Sequence, residues 1–171
     1  MEKIRLYIDT NIIHDLFTKQ AVSVKKGIKL ETPQKFKFLL GHQNKFDFVT
    51  SFLTKAEIMR ELVSGHAMTP AYVNEVWADF IGVTKTKYVS EFKFDEQIVD
   101  LVSKMPIKLR TMVNFFHIFI AIKEQAYFVS GDKPALEKAR ELNLYKKLLT
   151  YIELQKLASS FPLGDASCEV S

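Results

Sequence analysis

Arg5-Leu6-Tyr7-Ile8-Asp9-Thr10-Asn11-Ile12-Ile13-His14-Asp15-Leu16-Phe17 is the stretch from which the fold can be read. Ile4, Leu6, Tyr7 and Ile8 form a short β-prone run without clean alternation, as expected of a parallel strand covered on both faces. Ile12, Ile13, Leu16 and Phe17 then recur at helical spacing, with Thr10 or Asn11 predicted as the N-cap. A strand that passes into a helix within two residues places Asp9 at the strand's carboxyl end, where open α/β sheets put their ligands. Two readings of Asp9 stay open at this point: a helix cap, or a carboxylate that holds a hard cation.

Outward from that stretch, strand and helix patterns alternate. Val22 to Leu30, with Lys25, Lys26 and Lys29 around Gly27, reads as a polar connection. Thr32-Pro33-Gln34 opens a helix, Thr32 as cap and Pro33 as first helical residue. Phe46 to Leu53 reads as the second strand. Thr54 is expected to cap the helix that runs to about Gly65, and Thr54 with Glu57 has capping-box spacing, which would give Glu57 a structural role of its own. Thr69-Pro70 begins another helix ending near Gly82, and Thr84 to Val89 is the third strand. Asp95 to Lys104 is helical and stopped by Met105-Pro106. Lys108 to Gln125 is the most apolar helix and should be central. Tyr127 to Ser130 is the fourth strand, with Gly131-Asp132 directly behind it and a helix from Pro134 to about Leu142. Leu144 to Thr150 holds a fifth, edge strand before a last helix, Ile152 to Ser159. The expectation is an α/β fold, a three-layer α/β/α sandwich on a small parallel sheet, with right-handed crossovers. One domain over 1–160 and a short polar tail over 161–171 complete the expected layout.

The 171 residues suffice for a substantial core. A net charge of +4 and a pI near 9.0 permit a nucleic-acid partner. A single cysteine, Cys168, gives neither a disulfide framework nor a cysteine zinc site, which favours a reducing compartment. With no signal segment or membrane span read from the pattern, the expected location is cytoplasmic. Lys19, Lys25, Lys26, Lys29, Lys35, Lys37 and Lys45 make the first quarter the most basic part of the chain. They are either a solvated face or, with Lys25, Lys26 and Lys29 flanking the site, a track for phosphates.

No glycine-rich phosphate loop and no G-x-S-x-G elbow is present, so any chemistry must come from carboxylates. Asp9, Glu57 and Asp132 fall at equivalent places after strands one, two and four. Each pair of such charges about 4 Å apart repels by roughly 4 kcal/mol at an effective dielectric near 20. A divalent cation with oxygen preference, Mg²⁺ or Mn²⁺, would offset that repulsion and polarise a phosphodiester.

Ile8-Asp9-Thr10-Asn11-Ile12-Ile13, Thr54-Lys55-Ala56-Glu57-Ile58, Asn114-Phe115-Phe116-His117-Ile118 and Val129-Ser130-Gly131-Asp132 together resemble the PIN domain (PilT N-terminal) nucleases, including VapC-type toxins. The resemblance runs over roughly residues 4 to 150. It implies a metal-dependent endoribonuclease, with Asp9 and Asp132 anchoring Mg²⁺ or Mn²⁺, Glu57 binding it or orienting water, and Thr10 and Asn11 holding Asp9. It further implies an RNA substrate, a small antitoxin partner whose basic side chain enters the acidic pocket, and a homodimer. The family's long helix usually opens with Asp; here Asn114 stands there, which removes one charge and implies attenuated activity. The alternative is an inactive RNA-binding or assembly module on the same fold. His117 reads as a packed core histidine, and Asp15, Glu61 and Asp47 as surface charges.

Overall fold

Five strands lie side by side in the order β3-β2-β1-β4-β5, and every neighbouring pair is parallel. The computed structural model describes residues 3–93, 95–103 and 109–160. Along the chain these form β1 (Ile4–Ile8), α1 (Thr10–Lys26), α2 (Gln34–Gly41), β2 (Phe46–Ser51), α3 (Phe52–Arg60), α4 (Pro70–Thr84), β3 (Lys87–Val89), α5 (Glu96–Ser103), α6 (Leu109–Lys123), β4 (Tyr127–Ser130), α7 (Lys133–Glu141), β5 (Leu148–Thr150) and α8 (Tyr151–Ser160). A π-helical turn, Glu61–Gly65, extends α3. The tail 161–171 with Cys168, and the Met105-Pro106 stop, lie outside the described residues.

Side-chain alternation along β1 separates two cores. Leu6 and Ile8 face the layer built from α1, α2, α3, α4 and α8, whereas Tyr7 faces α5, α6 and α7. All three are essentially inaccessible, so each contributes roughly 1.5–3 kcal/mol of burial. The three-layer α/β/α sandwich follows directly, since a sheet covered on both faces needs apolar residues on both.

Several local boundaries differ from the sequence expectation, each for a definable reason. The N-cap of α1 is Asp9 itself, whose carboxylate accepts from the Thr10 amide, not Thr10 or Asn11. The helix also runs on through Lys26 rather than ending before Val22. Gly27, at φ 61, supplies the left-handed C-cap, with its amide reaching Ser23 and Val24 carbonyls. Lys25 and Lys26 are therefore the last turn of a helix, where cations offset the negative end of its dipole. In α2 the cap is Pro33, one residue later than expected. Helix α4 does start behind the Thr69 cap, but it reaches Thr84 instead of Gly82, which shortens β3 to three residues. The α5 and α6 helices and β5 lie inside their expected spans, while α7 starts at Lys133 and α8 at Tyr151, each one residue early.

The largest revision concerns β2 and α3. Strand β2 stops at Ser51, whose hydroxyl caps α3 by accepting from Leu53. Thr54 is thus buried inside the helix and no capping box forms there. Ser51 wins the cap because the polar end of the strand already sits at the turn, two residues before the point expected. Glu57 is released from its supposed structural duty.

The capping box that does form is at the start of α8. The Glu153 amide donates to Thr150 Oγ1 at 3.2 Å, and the Thr150 amide donates to Glu153 Oε2 at 2.6 Å. The Thr150 amide, with Arg140 beside it, holds the Glu153 carboxyl below its ordinary range. A lowered folded-state pKa means that this contribution is complete above the ordinary glutamate range and is lost as pH falls through it. Glu153→Ala should therefore cost about 0.5–1 kcal/mol at neutral pH. In urea melts the gap from the parent protein should close progressively below about pH 4.

Candidate functional site

The strand order dictates where a site can form. From β1 the chain moves outward through β2 to β3, then returns across to β4 on the other side of β1. The carboxyl ends of β1 and β4 therefore flank the switch point of the sheet, the usual ligand crevice of such folds. Asp9 stands at the end of β1 and Ser130 at the end of β4, joined by a bond from the Asp9 amide to the Val129 carbonyl, 3.1 Å.

Asp9 is buried, yet its carboxylate is saturated with donors. Its Oδ1 accepts from the Thr10 amide at 2.7 Å. Its Oδ2 accepts from Asn11 Nδ2 and from the Ser130 hydroxyl, both at 2.6 Å. Burial pushes the Asp9 carboxyl up, against the pull of His117 and of the Ser130 hydroxyl. Asn11 also ties the two strand ends together. Its Nδ2 reaches Ser130 Oγ at 2.9 Å, and its Oδ1 takes the Gly131 amide at 2.5 Å. Thr10 and Asn11 thus hold Asp9 and its surroundings, and Thr10 Oγ1 donates to Glu57 Oε2 as well.

Glu57, on α3, faces this group rather than its own helix end. Its Oε2 lies 3.2 Å from His117 Nε2, which is itself 3.9 Å from Asp9 Oδ1. One ligand atom from each of Asp9, Glu57 and His117 falls within a 4.8 Å span. His117 is completely buried on α6. Burial would lower its pKa, but the Glu57 and Asp9 carboxylates outweigh that and hold the imidazole above its ordinary value. Burial pushes the Glu57 carboxyl up, but the His117 bond and charge, with the Thr10 hydroxyl and Arg60, together hold it below the usual range. Behind the ring, Nδ1 is 2.7 Å from the Tyr7 hydroxyl, which is 2.5 Å from Ser51 Oγ. Burial pushes the Tyr7 phenol up, so it stays protonated as part of this chain.

Asp132 and Asn114 form a second group beside the first. The Asp132 amide donates to Ser130 Oγ at 3.0 Å. Its carboxylate caps α7 through Ala135, 3.0 Å, and accepts from Asn114 Nδ2, 2.9 Å. The amide at 114 therefore acts as donor to a neighbouring carboxylate, which an aspartate there would not do. Lys25 and Lys26 stand elsewhere. A 17-residue helix is about 25 Å long, and they occupy the end opposite Asp9. Lys29 lines a cleft beside Lys19, Gln20, Ser23 and Glu31. The helix that continues through Lys26 sets Lys25 and Lys26 at its far end, while Lys29 lies in the connection that follows. A cation beside the site is Lys35, whose Nζ donates to the Asn11 carbonyl at 3.1 Å and lies 5.9 Å from the Tyr151 ring centre; Arg60 acts on Glu57 from α3.

Sequence reading missed His117, Ser130, Tyr7, Ser51 and Lys35. The signal for His117 was its place one helical turn after Asn114, on the most apolar helix, where a histidine needs a polar partner. Ser130 was visible as the last strand residue before Gly131-Asp132. Nothing local marks Tyr7 or Lys35.

Comparison with known proteins matches no family model and no curated relative at a significant level. Among solved structures, the chain is similar to a PilT N-terminus domain protein from the hyperthermophilic archaeon Sulfolobus solfataricus P2. That likeness covers 93% of this chain and 97% of the other, with a TM-score of 0.49 and 14% identity. Among the described residues, no helix is long and apolar enough to cross a membrane.

Gly131 tests the clamp between the strand ends. A methyl group on its Cα would lie 3.0 Å from Asn11 Oδ1, and Asn11 has three bonds that resist displacement. Gly131→Ala should cost about 1–2 kcal/mol in chemical denaturation and raise amide exchange at Thr10 and Asp132. A change within about 0.3 kcal/mol, with exchange unaltered, would show that Asn11 yields freely.

Proposed function

We propose that this chain is a divalent-metal-dependent nuclease acting on RNA. The observation that carries the reading is the placement of Asp9 and Glu57, two acidic side chains from different elements, facing one space with His117 at the switch point of a parallel sheet. The donor set fits a cation. Asp9 is presented by three fixed donors, Glu57 by Thr10 and His117, and separations of 3.2 and 3.9 Å are near the roughly 3–3.5 Å between donors that share one small ion. Asp9 and Glu57 would hold it, with Asp132 beside them. A bound Mg²⁺ or Mn²⁺ supplies Lewis acidity toward a phosphodiester oxygen and lowers the pKa of a coordinated water.

The chain's own groups do the rest. Glu57 Oε1, the oxygen not engaged by Thr10 and His117, is available to take a proton from the attacking water. Asn11 and Ser130 keep Asp9 fixed, so the site undergoes little reorganisation. Lys35 stands at the rim, where a cation suits a phosphate. A small antitoxin with a basic side chain for the acidic pocket, and a homodimer, belong to the same proposal. They are supported only by the motif resemblance to VapC-type toxins. A binding module without catalysis is the second reading, and the specific observation in its favour is the Asn114 amide bonded to Asp132 in place of a further carboxylate.

Mn²⁺ titration separates the two. The nuclease should bind Mn²⁺ saturably, gain thermal stability with the logarithm of metal concentration, and cleave a fluorogenic RNA oligonucleotide only with metal. Asp9→Asn should remove cleavage and most of the thermal shift. RNA binding that is equal in chelator and in Mn²⁺, with no cleavage under either condition, would establish the binding module instead.

Asn114→Asp probes the second group. In the metal-free protein it sets a carboxylate against Asp132 at hydrogen-bond distance, so the melting temperature should fall. Added Mn²⁺ should recover more of that loss than it gives the parent protein, and cleavage should rise. A variant as stable as the parent without metal, and unresponsive to Mn²⁺, would place residue 114 outside the site.

A further inference from the structure

The third protein donor to the cation, we infer, is the imidazole nitrogen His117 Nε2, which makes the site selective for a first-row transition ion over Mg²⁺ and Ca²⁺. The inference rests on the metal-dependent reading above and specifies which ion that site takes. Three observations lead to it. First, His117 Nε2 is the nitrogen that faces both carboxylates, 3.2 Å from Glu57 Oε2 and 3.9 Å from Asp9 Oδ1, and among the described residues these three form the group with metal-binding spacing. Second, the ring is oriented from behind as metal-bound histidines usually are: Nδ1 lies 2.7 Å from the Tyr7 hydroxyl, and that hydroxyl lies 2.5 Å from Ser51 Oγ. With Tyr7 donating to Ser51 and accepting from Nδ1–H, Nε2 is the nitrogen left facing the two carboxylates, where a cation would displace its proton. Third, Asp132 is not part of that group among the described residues: its carboxylate takes Asn114 Nδ2 and the Ala135 amide beside it.

An all-oxygen site suits Mg²⁺, which dehydrates reluctantly and prefers carboxylates and water. Replacing one oxygen donor by imidazole favours Mn²⁺, Co²⁺ and Zn²⁺, in the order given by ligand softness and the Irving–Williams series. Asp9, Glu57 and His117 leave the remaining positions of such an ion open to water or a phosphate oxygen. Tyr7 is a positioning residue in this scheme: it touches neither ion nor substrate and acts only through His117.

The test uses the whole protein, loaded with Mn²⁺ or Co²⁺ after chelator treatment. Pulsed electron paramagnetic resonance of the Mn²⁺ form should show coupling to one imidazole nitrogen. Calorimetry should show Mn²⁺ and Co²⁺ bound at least about 100-fold more tightly than Mg²⁺. Tyr7→Phe keeps the ring that packs on Phe128 and removes only the hydroxyl. It should weaken Mn²⁺ about 10-fold and leave Mg²⁺ binding unchanged. His117→Gln should abolish the nitrogen coupling. Should that variant fail to fold, the wild-type spectrum and Tyr7→Phe decide the matter. Saturable Mn²⁺ binding with no nitrogen coupling, or equal affinity for Mg²⁺ and Mn²⁺, overturns this inference and leaves the nuclease reading standing. No binding of any divalent ion overturns both.

Discussion

The structure depends on one buried charge. Asp9 sits where β1 ends, almost inaccessible to water, and an unpaired carboxylate in that position would cost several kcal/mol. The cost is offset by donors drawn from two distant parts of the chain: the Thr10 amide and Asn11 from the first helix, Ser130 from the fourth strand. Those bonds lock the β1 and β4 ends at a fixed separation. They also leave Asp9 with one side open toward Glu57 and His117. The same contacts that satisfy the charge orient it.

Around that lock the two cores are unequal in purpose. The face containing Leu6 and Ile8 packs α1 through α4 and α8, and among the described residues it carries most of the aromatic contacts, such as Phe17 with Trp77 and Phe80. The other face, under α6, mixes apolar packing with the Ser51–Tyr7–His117 chain. Polar groups within a core are tolerated only when each finds partners, and here the chain ends at the carboxylates. One face is therefore chiefly structural, while the other also delivers a nitrogen to the site.

The architecture was legible in the sequence because alternating strand and helix patterns admit few topologies. Asp9, Glu57 and Asp132 were legible as candidates because they follow strands, and Asn114 through the motif resemblance. What local pattern could not supply was partnership. Thr54-Lys55-Ala56-Glu57 and Thr150-Tyr151-Ile152-Glu153 have the same capping-box spacing. Only the second is a cap, because Ser51 takes that duty for α3. The lysines of the first helix looked like a track beside the site, but Gly27 rather than Val22 sets the helix end. His117 and Tyr7 meet across 110 residues, a contact that no window of neighbouring residues contains.

That long-range construction has a consequence for how the molecule comes into being. Asn11 bonds to Ser130 and Gly131 over separations of 119 and 120 residues. A polypeptide leaving the ribosome at roughly 5–20 residues per second extrudes its first strand, first helix and Glu57 well before β4 exists. During that interval Asp9 lacks the hydroxyl that fixes it, and the central strand has an open edge. Contacts this distant also close slowly, since the entropy of the intervening chain must be overcome before they form. The acidic centre is consequently a late product of folding, completed only after β4 has left the ribosome.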